Sequence, residues 1–80
     1  MIYQLDLDCV DQGDLSIWLG AVEMYYGLET EILTENGPAG CSLVRFIGEE
    51  NNIWDLLYLE YTSEDEDEAD FLMSHARELG

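Results

Sequence analysis

The chain has 80 residues, 48% of them hydrophobic, and carries 19 Asp and Glu residues against two Arg, for a formal net charge of −17. This length predicts one small domain spanning residues 1–80, and the apolar content is too high for a disordered chain. The charge excludes nucleic acid and anionic membranes as direct partners, because both would repel the chain. A basic protein or a cation remains as a partner.

The first predicted element is a strand near the start of the chain. Apolar and polar side chains alternate through YQLDLDC, which is the pattern of a strand with one buried face and with Gln4, Asp6 and Asp8 on the other. No basic segment or long apolar run accompanies Met1, so neither a signal peptide nor a membrane span is expected. Two cysteines, Cys9 and Cys41, do not make a disulfide framework and are expected to be reduced core residues in the cytoplasm.

A helix is predicted next, from about Asp14 to Tyr26, with Asp11 or Asp14 available as its cap. Gly27 stands where a left-handed residue commonly ends a helix, and the apolar Leu28 follows it, as in a Schellman ending. The apolar residues of this segment form one stripe at helical spacing, made of Leu15, Trp18, Leu19, Val22, Tyr25 and Tyr26.

Two further strands are predicted after this helix. Alternation returns in LETEILTE, with Glu29, Glu31 and Glu35 directed outward, and NGPAG has the composition of a turn. The next stretch, CSLVRFIG, is apolar on both faces except for Arg45. A strand of that kind is expected in the middle of a sheet, with neighbours on both sides.

Residues 52–61 belong to the stretch NNIWDLLYLEY, which begins at Asn51. They fit either a helix or a further strand, which would pair with the third strand across EENN. The helix is favoured by the spacing of Trp54, Leu57, Tyr58 and Tyr61. A last helix is predicted from SEDEDEAD, because Ser63 and Glu66 have the spacing of a capping box and acids complement the start of a helix dipole. Its apolar stripe runs through Ala69, Leu72, Met73, Ala76 and Leu79 to Gly80.

These elements predict an α+β fold with the order βαββαα, built on a small three-stranded mixed sheet in the strand order 1-3-2 with helices on one face. The order βαβββα is the alternative. The uncovered face would mix acids with apolar residues, which is more typical of a binding surface than of a plain solvent face. Its expected members are Ile2, Gln4, Asp6, Asp8, Glu29, Glu31, Leu33, Glu35, Leu43, Arg45 and Ile47.

The sequence gives little support for a catalytic site or a metal-binding site. A calcium loop starting at Asp6 would place Val10 and Ile17 where oxygen ligands are required. His75 is the one histidine and has no second nitrogen or thiolate at ligand spacing. No glycine-rich phosphate loop or nucleophile motif occurs either. The sequence therefore predicts a protein that is not an enzyme and needs no cofactor or metal ion.

The surplus of acids has a second interpretation as an imitation of DNA. DNA carries one charge per about 1.7 Å of axis. Acids two residues apart on a strand are about 6.6 Å apart, and neighbours on a helix face are about 5–6 Å apart. Such rows approximate a phosphate ladder. The residues predicted to contact a partner are Asp6, Asp8, Glu29, Glu31, Leu33, Glu35, Asp67 and Asp70.

In size, in the absence of lysine and in the acidic stretches LDLD, LETEILTE and SEDEDEAD, the chain resembles the small DNA-mimic inhibitors of phages and mobile elements, including anti-CRISPR proteins. The resemblance is one of kind. It implies a non-enzymatic inhibitor in the host cytoplasm that occupies the DNA-binding channel of a basic nucleic-acid-binding protein or complex, such as a CRISPR effector complex.

Two other functions are open on the sequence alone. One is an acidic immunity protein or antitoxin that covers the active site of a basic nuclease. The other is a structural domain whose acids serve solubility or a halophilic setting. The partner distinguishes the first from a DNA mimic, and the lack of any specific partner would favour the second.

Overall fold

The computed structural model describes residues 1–10, 15–34 and 41–79. The predicted caps Asp11 and Asp14 and the predicted site residue Glu35 lie outside these ranges. The class is α+β. The elements in chain order are β1 (Ile2–Val10), α1 (Leu15–Tyr26), β2 (Glu29–Thr34), β3 (Cys41–Glu49), α2 (Glu50–Leu56), a π-helix (Leu57–Tyr61), α3 (Glu66–Met73) and β4 (Arg77–Glu78).

The described strands form one sheet of four in the order β2-β3-β1-β4. Each pair of neighbours is antiparallel. The predicted three-stranded mixed sheet is therefore wrong, and so is the alternative order βαβββα. β1 and β2 do run in the same direction, but β3 lies between them, so no parallel ladder forms. The fourth strand is the larger difference.

That fourth strand comes from the end of the chain, where a helix was expected to continue to Gly80. α3 ends at Met73, because the amides of His75 and Ala76 donate to carbonyls only three residues back, at 3.1 and 2.9 Å, which tightens and closes the helix. β4 then pairs with Tyr3 and Gln4 of β1. The edge of β1 thus satisfies backbone groups that a longer helix would have satisfied internally.

Residues 50–61 are helical throughout, so the alternative that they form a strand is wrong. α2 passes directly into the π-helix, and Thr62 donates to the carbonyl of Leu57 over 3.0 Å. The chain leaves this helix through two left-handed residues, Ser63 (φ 53°) and Glu64 (φ 64°). The Glu64 amide donates to the carbonyl of Tyr58 over 2.8 Å, which fixes this turn.

The core lies between the helices and one face of the sheet. Phe46 and Val44 of β3 are fully buried there, and Trp18 of α1 packs its edge on the ring of Phe46 with the centroids 6.4 Å apart. Each such side chain contributes about 1.5–3 kcal/mol by leaving water. The helical residues that are completely buried are Ile53, Leu56, Leu57 and Ala69.

The link from α1 to β2 confirms one prediction and corrects another. Gly27 has a φ of 67°, and Leu28 after it is buried. A Cβ on Gly48 would lie 2.5 Å from Cδ2 of Leu28, so the missing side chain of Gly48 makes room for that leucine. Tyr25, however, is 80% exposed and does not belong to the buried stripe of α1.

Candidate functional site

One face of the sheet is covered by no helix in the described part of the chain. Residues opposite one another in an antiparallel ladder share a face, so the pairs Asp6–Arg45, Asp8–Leu43 and Glu31–Arg45 place acids from β1 and β2 beside β3. Glu29 lies opposite Ile47 on the same face. This sheet face therefore mixes exposed acids with half-buried apolar side chains.

Arg45 occupies the middle of the sheet face and is bound to an acid. Its Nε and Nη2 donate to Oδ1 and Oδ2 of Asp6 over 2.9 and 3.1 Å. The hydrogen bond with Asp6 is the main cause that raises the pKa of Arg45, and the charge of Glu31 on the other side contributes. One carboxylate of the sheet face is thus neutralised directly.

Other positive charges lie on the same sheet. Arg77 of β4 is opposite Gln4, so the ladder places it on the face of Asp6 and Asp8. At the same end of the sheet, the N-terminal ammonium group forms an ion pair with Glu49 over 2.9 Å. The sheet face is consequently of mixed sign. Arg45 was expected on it from the sequence, whereas Arg77 was not, because β4 was not predicted.

The opposite side of the molecule, formed by the helices, differs from the sheet face because its acids are not accompanied by arginine. Both arginines belong to the sheet, and the helical side of the described residues contains none. All of its acids are exposed. We call the acids of residues 55–70 the acidic helical surface; its members are Asp55, Glu60, Glu64, Asp65, Glu66, Asp67, Glu68 and Asp70.

Three acids of this surface form hydrogen bonds within the molecule, and one of them is Glu60, whose Oε1 accepts from the hydroxyl of Tyr26 over 3.1 Å. Asp65 is the N-cap of α3, and its Oδ1 accepts from the amide of Glu68 over 3.1 Å. The predicted capping box of Ser63 and Glu66 is wrong, because Ser63 lies in the left-handed turn before the cap. Asp70 accepts a hydrogen bond from the indole Nε1 of Trp54 over 2.8 Å.

The remaining acids of this run have no such task among the described residues. The side chains of Glu64, Glu66, Asp67 and Glu68 form no hydrogen bond or ion pair with another part of the described chain. Interaction with the helix dipole accounts only for the presence of acids in the first turn of α3. These carboxylates are free to meet a partner.

The predicted site residues are divided between the two sides. Asp6, Asp8, Glu29 and Glu31 lie on the sheet face. Asp67 and Asp70 lie on α3, behind the opposite face. Leu33 is half-buried at an irregularity of β2, between Ile32 and Thr34 in the ladder with β3. One flat partner surface could not contact both groups.

Cys9 and Cys41 are not joined in a disulfide. Cys9 is buried with its Sγ 3.1 Å from the hydroxyl of Tyr61, and Cys41 is half-buried. Burial raises the pKa of the Cys9 thiol, which disfavours the reactive thiolate. Burial likewise raises the pKa of Tyr61. The contact is thus a partly buried hydrogen bond at the margin of the core.

A groove of about 370 Å³ opens between α1 and the π-helix. Sequence reasoning missed it, because Tyr25 was assigned to the core. The available signal was that α1 is apolar on all sides, with Ile17 and Met24 outside the predicted stripe and Glu23 as its one charge. The groove is lined by Trp18, Ala21, Val22, Tyr25, Tyr26, Leu59 and Glu60.

Comparison with protein-family models, with curated proteins and with solved structures found no match. Within the described residues, no group of three or more His, Cys, Asp or Glu side chains is arranged to hold a metal ion. None of the described helices has the length and apolar character needed to cross a membrane. Functional inference therefore depends on the distribution of charge and on the groove.

Proposed function

We propose that the protein is a non-enzymatic inhibitor that binds the nucleic-acid groove of a basic protein and presents carboxylates where DNA presents phosphates. The supporting observation is the separation of charge. The acidic helical surface has exposed acids and no arginine, whereas Arg45 and Arg77 belong to the sheet. A surface meant only to hold hydration would not require that separation.

This distribution suits a cationic groove for two reasons. Carboxylates on one face of α3 are about 5–6 Å apart at their Cβ atoms, which keeps several within reach of a row of lysines or arginines. The net charge of −17 also acts at long range, and attraction of that kind speeds the association of oppositely charged proteins. Displacement of counterions from the groove adds affinity, as it does for DNA.

The most specific form of the proposal is an anti-CRISPR protein that blocks the DNA channel of a CRISPR effector complex. It is supported by the resemblance in size, acidity and lack of lysine to inhibitors of that kind. The broader form requires only a basic nucleic-acid-binding protein in the same compartment. Both forms predict competition with DNA.

The order of addition tests this competition. Proteins from the natural host that are retained by the immobilised chain are released with a short DNA duplex, and each is then assayed for DNA binding by mobility shift. Adding the chain before DNA should block binding, and adding it after DNA should block it much less. The inhibition should weaken steeply with salt, as phosphate contacts do.

A matched pair of variants identifies the surface responsible. The helical variant is Glu66→Gln with Asp67→Asn and Glu68→Gln. The sheet variant is Asp8→Asn with Glu29→Gln and Glu31→Gln. Both remove the same charge, so a larger loss of inhibition in the helical variant would assign DNA mimicry to the acidic helical surface.

Two results would count against the proposal. If target, DNA and inhibitor form a ternary complex without mutual loss of affinity, DNA mimicry is wrong. If the one retained protein is a nuclease whose activity is blocked while its DNA binding persists, the immunity-protein alternative replaces it.

A further inference from the structure

The groove between α1 and the π-helix is aromatic on one side and acidic on the other. α1 supplies Trp18, Tyr25 and Tyr26, and the π-helix supplies Leu59 and Glu60. Trp18 is held by its contact with Phe46 in the core. Tyr25 and Tyr26 meet edge to face with their ring centroids 5.0 Å apart. These contacts hold the aromatic side in place before any ligand arrives.

Glu60 is positioned by the same set of rings. Its Oε1 accepts a hydrogen bond from the hydroxyl of Tyr26 over 3.1 Å. Burial first, and then the bond and charge of Glu60, raise the pKa of Tyr26 to about 12, so the phenol stays a donor at neutral pH. Asp55 adds negative charge near the same hydroxyl. The groove thus has a carboxylate fixed beside aromatic surface.

Apolar side chains are exposed both in the lining of the groove and elsewhere on α1. Ile17 is 68% exposed and Met24 is 89% exposed, and Tyr25 and Leu59 are also exposed. Glu23 is the one charged residue of α1, and its Oε2 accepts from Thr30 over 2.8 Å. Exposed apolar groups that adjoin one another commonly mark a site of interaction with another molecule.

A guanidinium group fits this combination best. It is planar, stacks on aromatic faces and donates two parallel hydrogen bonds to a carboxylate. A neutral apolar ligand would desolvate Glu60 without compensating it, and an acidic ligand would be repelled by the charge of the chain. The alkyl groups around the groove would contact the aliphatic stem of such a side chain and its apolar neighbours.

We infer that this groove receives an arginine side chain of the basic partner, flanked by apolar residues, stacked on the aromatic side and paired with Glu60. The inference rests on the proposed function and adds a specific anchor to it. Long-range attraction by scattered acids selects no particular protein, whereas an aromatic and acidic groove selects a single arginine in an apolar setting. Aromatic and arginine residues are enriched among such anchors.

A pair of capped peptides tests the groove directly. One contains an arginine between two leucines, and the other contains the neutral isostere citrulline in its place. Titration into the isotopically labelled chain, followed by NMR, should shift the amides of Trp18, Tyr25, Leu59 and Glu60 with the arginine peptide. Binding at least about fivefold weaker is expected for the citrulline peptide, because it loses a cation–π contact of about 1 kcal/mol and also the positive charge that pairs with Glu60.

Matched substitutions provide the controls. Tyr25→Ala and Glu60→Gln should each weaken binding of the arginine peptide severalfold. Phe71→Ala, an exposed ring on α3, and Glu78→Gln, an equal change of charge on β4 and outside the groove, should leave it unchanged. Equal binding of the two peptides, shifts confined to α3, or equal loss in the controls would overturn the inference. A lysine peptide that binds as well as the arginine peptide would overturn the preference for a guanidinium group.

The inference and the proposed function can fail separately. If the chain competes with DNA but Tyr25→Ala and Glu60→Gln inhibit as well as the unsubstituted protein, the groove is not the anchor and the inference is wrong. If the groove binds the arginine peptide selectively but the chain never competes with DNA, the inference stands and DNA mimicry is wrong.

Discussion

Arg45 and Asp6 lie directly opposite one another on β3 and β1 and form a two-point ion pair across the sheet face. Their side chains are 31% and 34% exposed, so the pair is only partly shielded from water. The bond couples two segments 39 residues apart in the chain. Because the carboxylate of Asp6 is already bound to Arg45, it is not available to bind a cationic partner.

The first prediction concerns the strength of this pair. Arg45→Gln, Asp6→Asn and the double variant form a thermodynamic cycle, measured by urea unfolding. We expect a coupling of about 0.2–1 kcal/mol, because partly exposed ion pairs contribute little even in good geometry. The coupling should shrink in high salt. A coupling well above that range, or one insensitive to salt, would show that the pair is effectively buried.

The second prediction concerns the start of α3. Asp65→Ala should lower the free energy of unfolding by about 1 kcal/mol, because the amide of Glu68 loses its acceptor. Asp65→Asn, which keeps an N-cap oxygen, should cost much less although it changes the charge equally. Thermal denaturation of the two variants distinguishes capping from charge. Equal effects in both would mean that the carboxylate acts through its charge alone.

The third prediction compares two glycines. Gly48→Ala should destabilise by about 1–3 kcal/mol, because its Cβ would lie 2.5 Å from Cδ2 of the buried Leu28. Gly20→Ala is the matched control, since nothing lies within 4 Å of a Cβ there and α1 would gain up to about 1 kcal/mol. Chemical denaturation should therefore move the two midpoints in opposite directions.

The fourth prediction concerns alkaline pH. The pKa of Tyr26 is raised from the ordinary value of 10.0 to about 12, chiefly by burial and then by Glu60, and burial also raises that of Tyr61. Above pH 10 the unfolded chain has lost these protons while the folded chain keeps them, so the unfolded state binds fewer protons and stability falls as pH rises. Stability should thus be intact below pH 10 and decline toward pH 12.

Urea titrations across that window, with tyrosinate absorbance recorded in parallel, measure this decline. Tyr26→Phe should make it shallower, because one of the phenols with a raised pKa is gone. A decline that is unchanged by the substitution would show that Tyr26 ionises alike in the folded and unfolded chains.

Local patterns were sufficient for part of the fold. The class is α+β, the alternation of β1 is visible in its sequence, and Gly27 adopts the left-handed conformation that its position at the end of α1 indicates. Each of these follows from side-chain period or from the conformational freedom of glycine. The fourth strand does not, because two residues have no period and β4 exists through its pairing with β1.

The candidate sites depend on contacts between distant residues. Asp6 is paired with Arg45 because the register of β1 against β3 places the two residues opposite one another. That register cannot be read from the sequence of either strand alone. From the sequence, the cap of α3 could be any of several acids or Ser63. In the structure, the left-handed turn that is fixed by the carbonyl of Tyr58 places Asp65 at the N-cap position. The groove arises where α1 meets the π-helix, and only the packing of both shows that Tyr25 faces solvent.

Because β4 is short, part of the edge of β1 is open to pairing with other molecules in concentrated solution. β1 has nine residues, and β4 pairs only with Tyr3 and Gln4, so in the described part of the chain the outer edge of β1 from Leu5 onward has no strand beside it. Such an edge can template a strand from another molecule, including β1 of a second copy. Asp8 lies along it, whereas the charge of Asp6 is already paired with Arg45. In a pairing that brings the Asp8 side chains of two copies opposite one another, their like charges would resist association. High salt would weaken this protection.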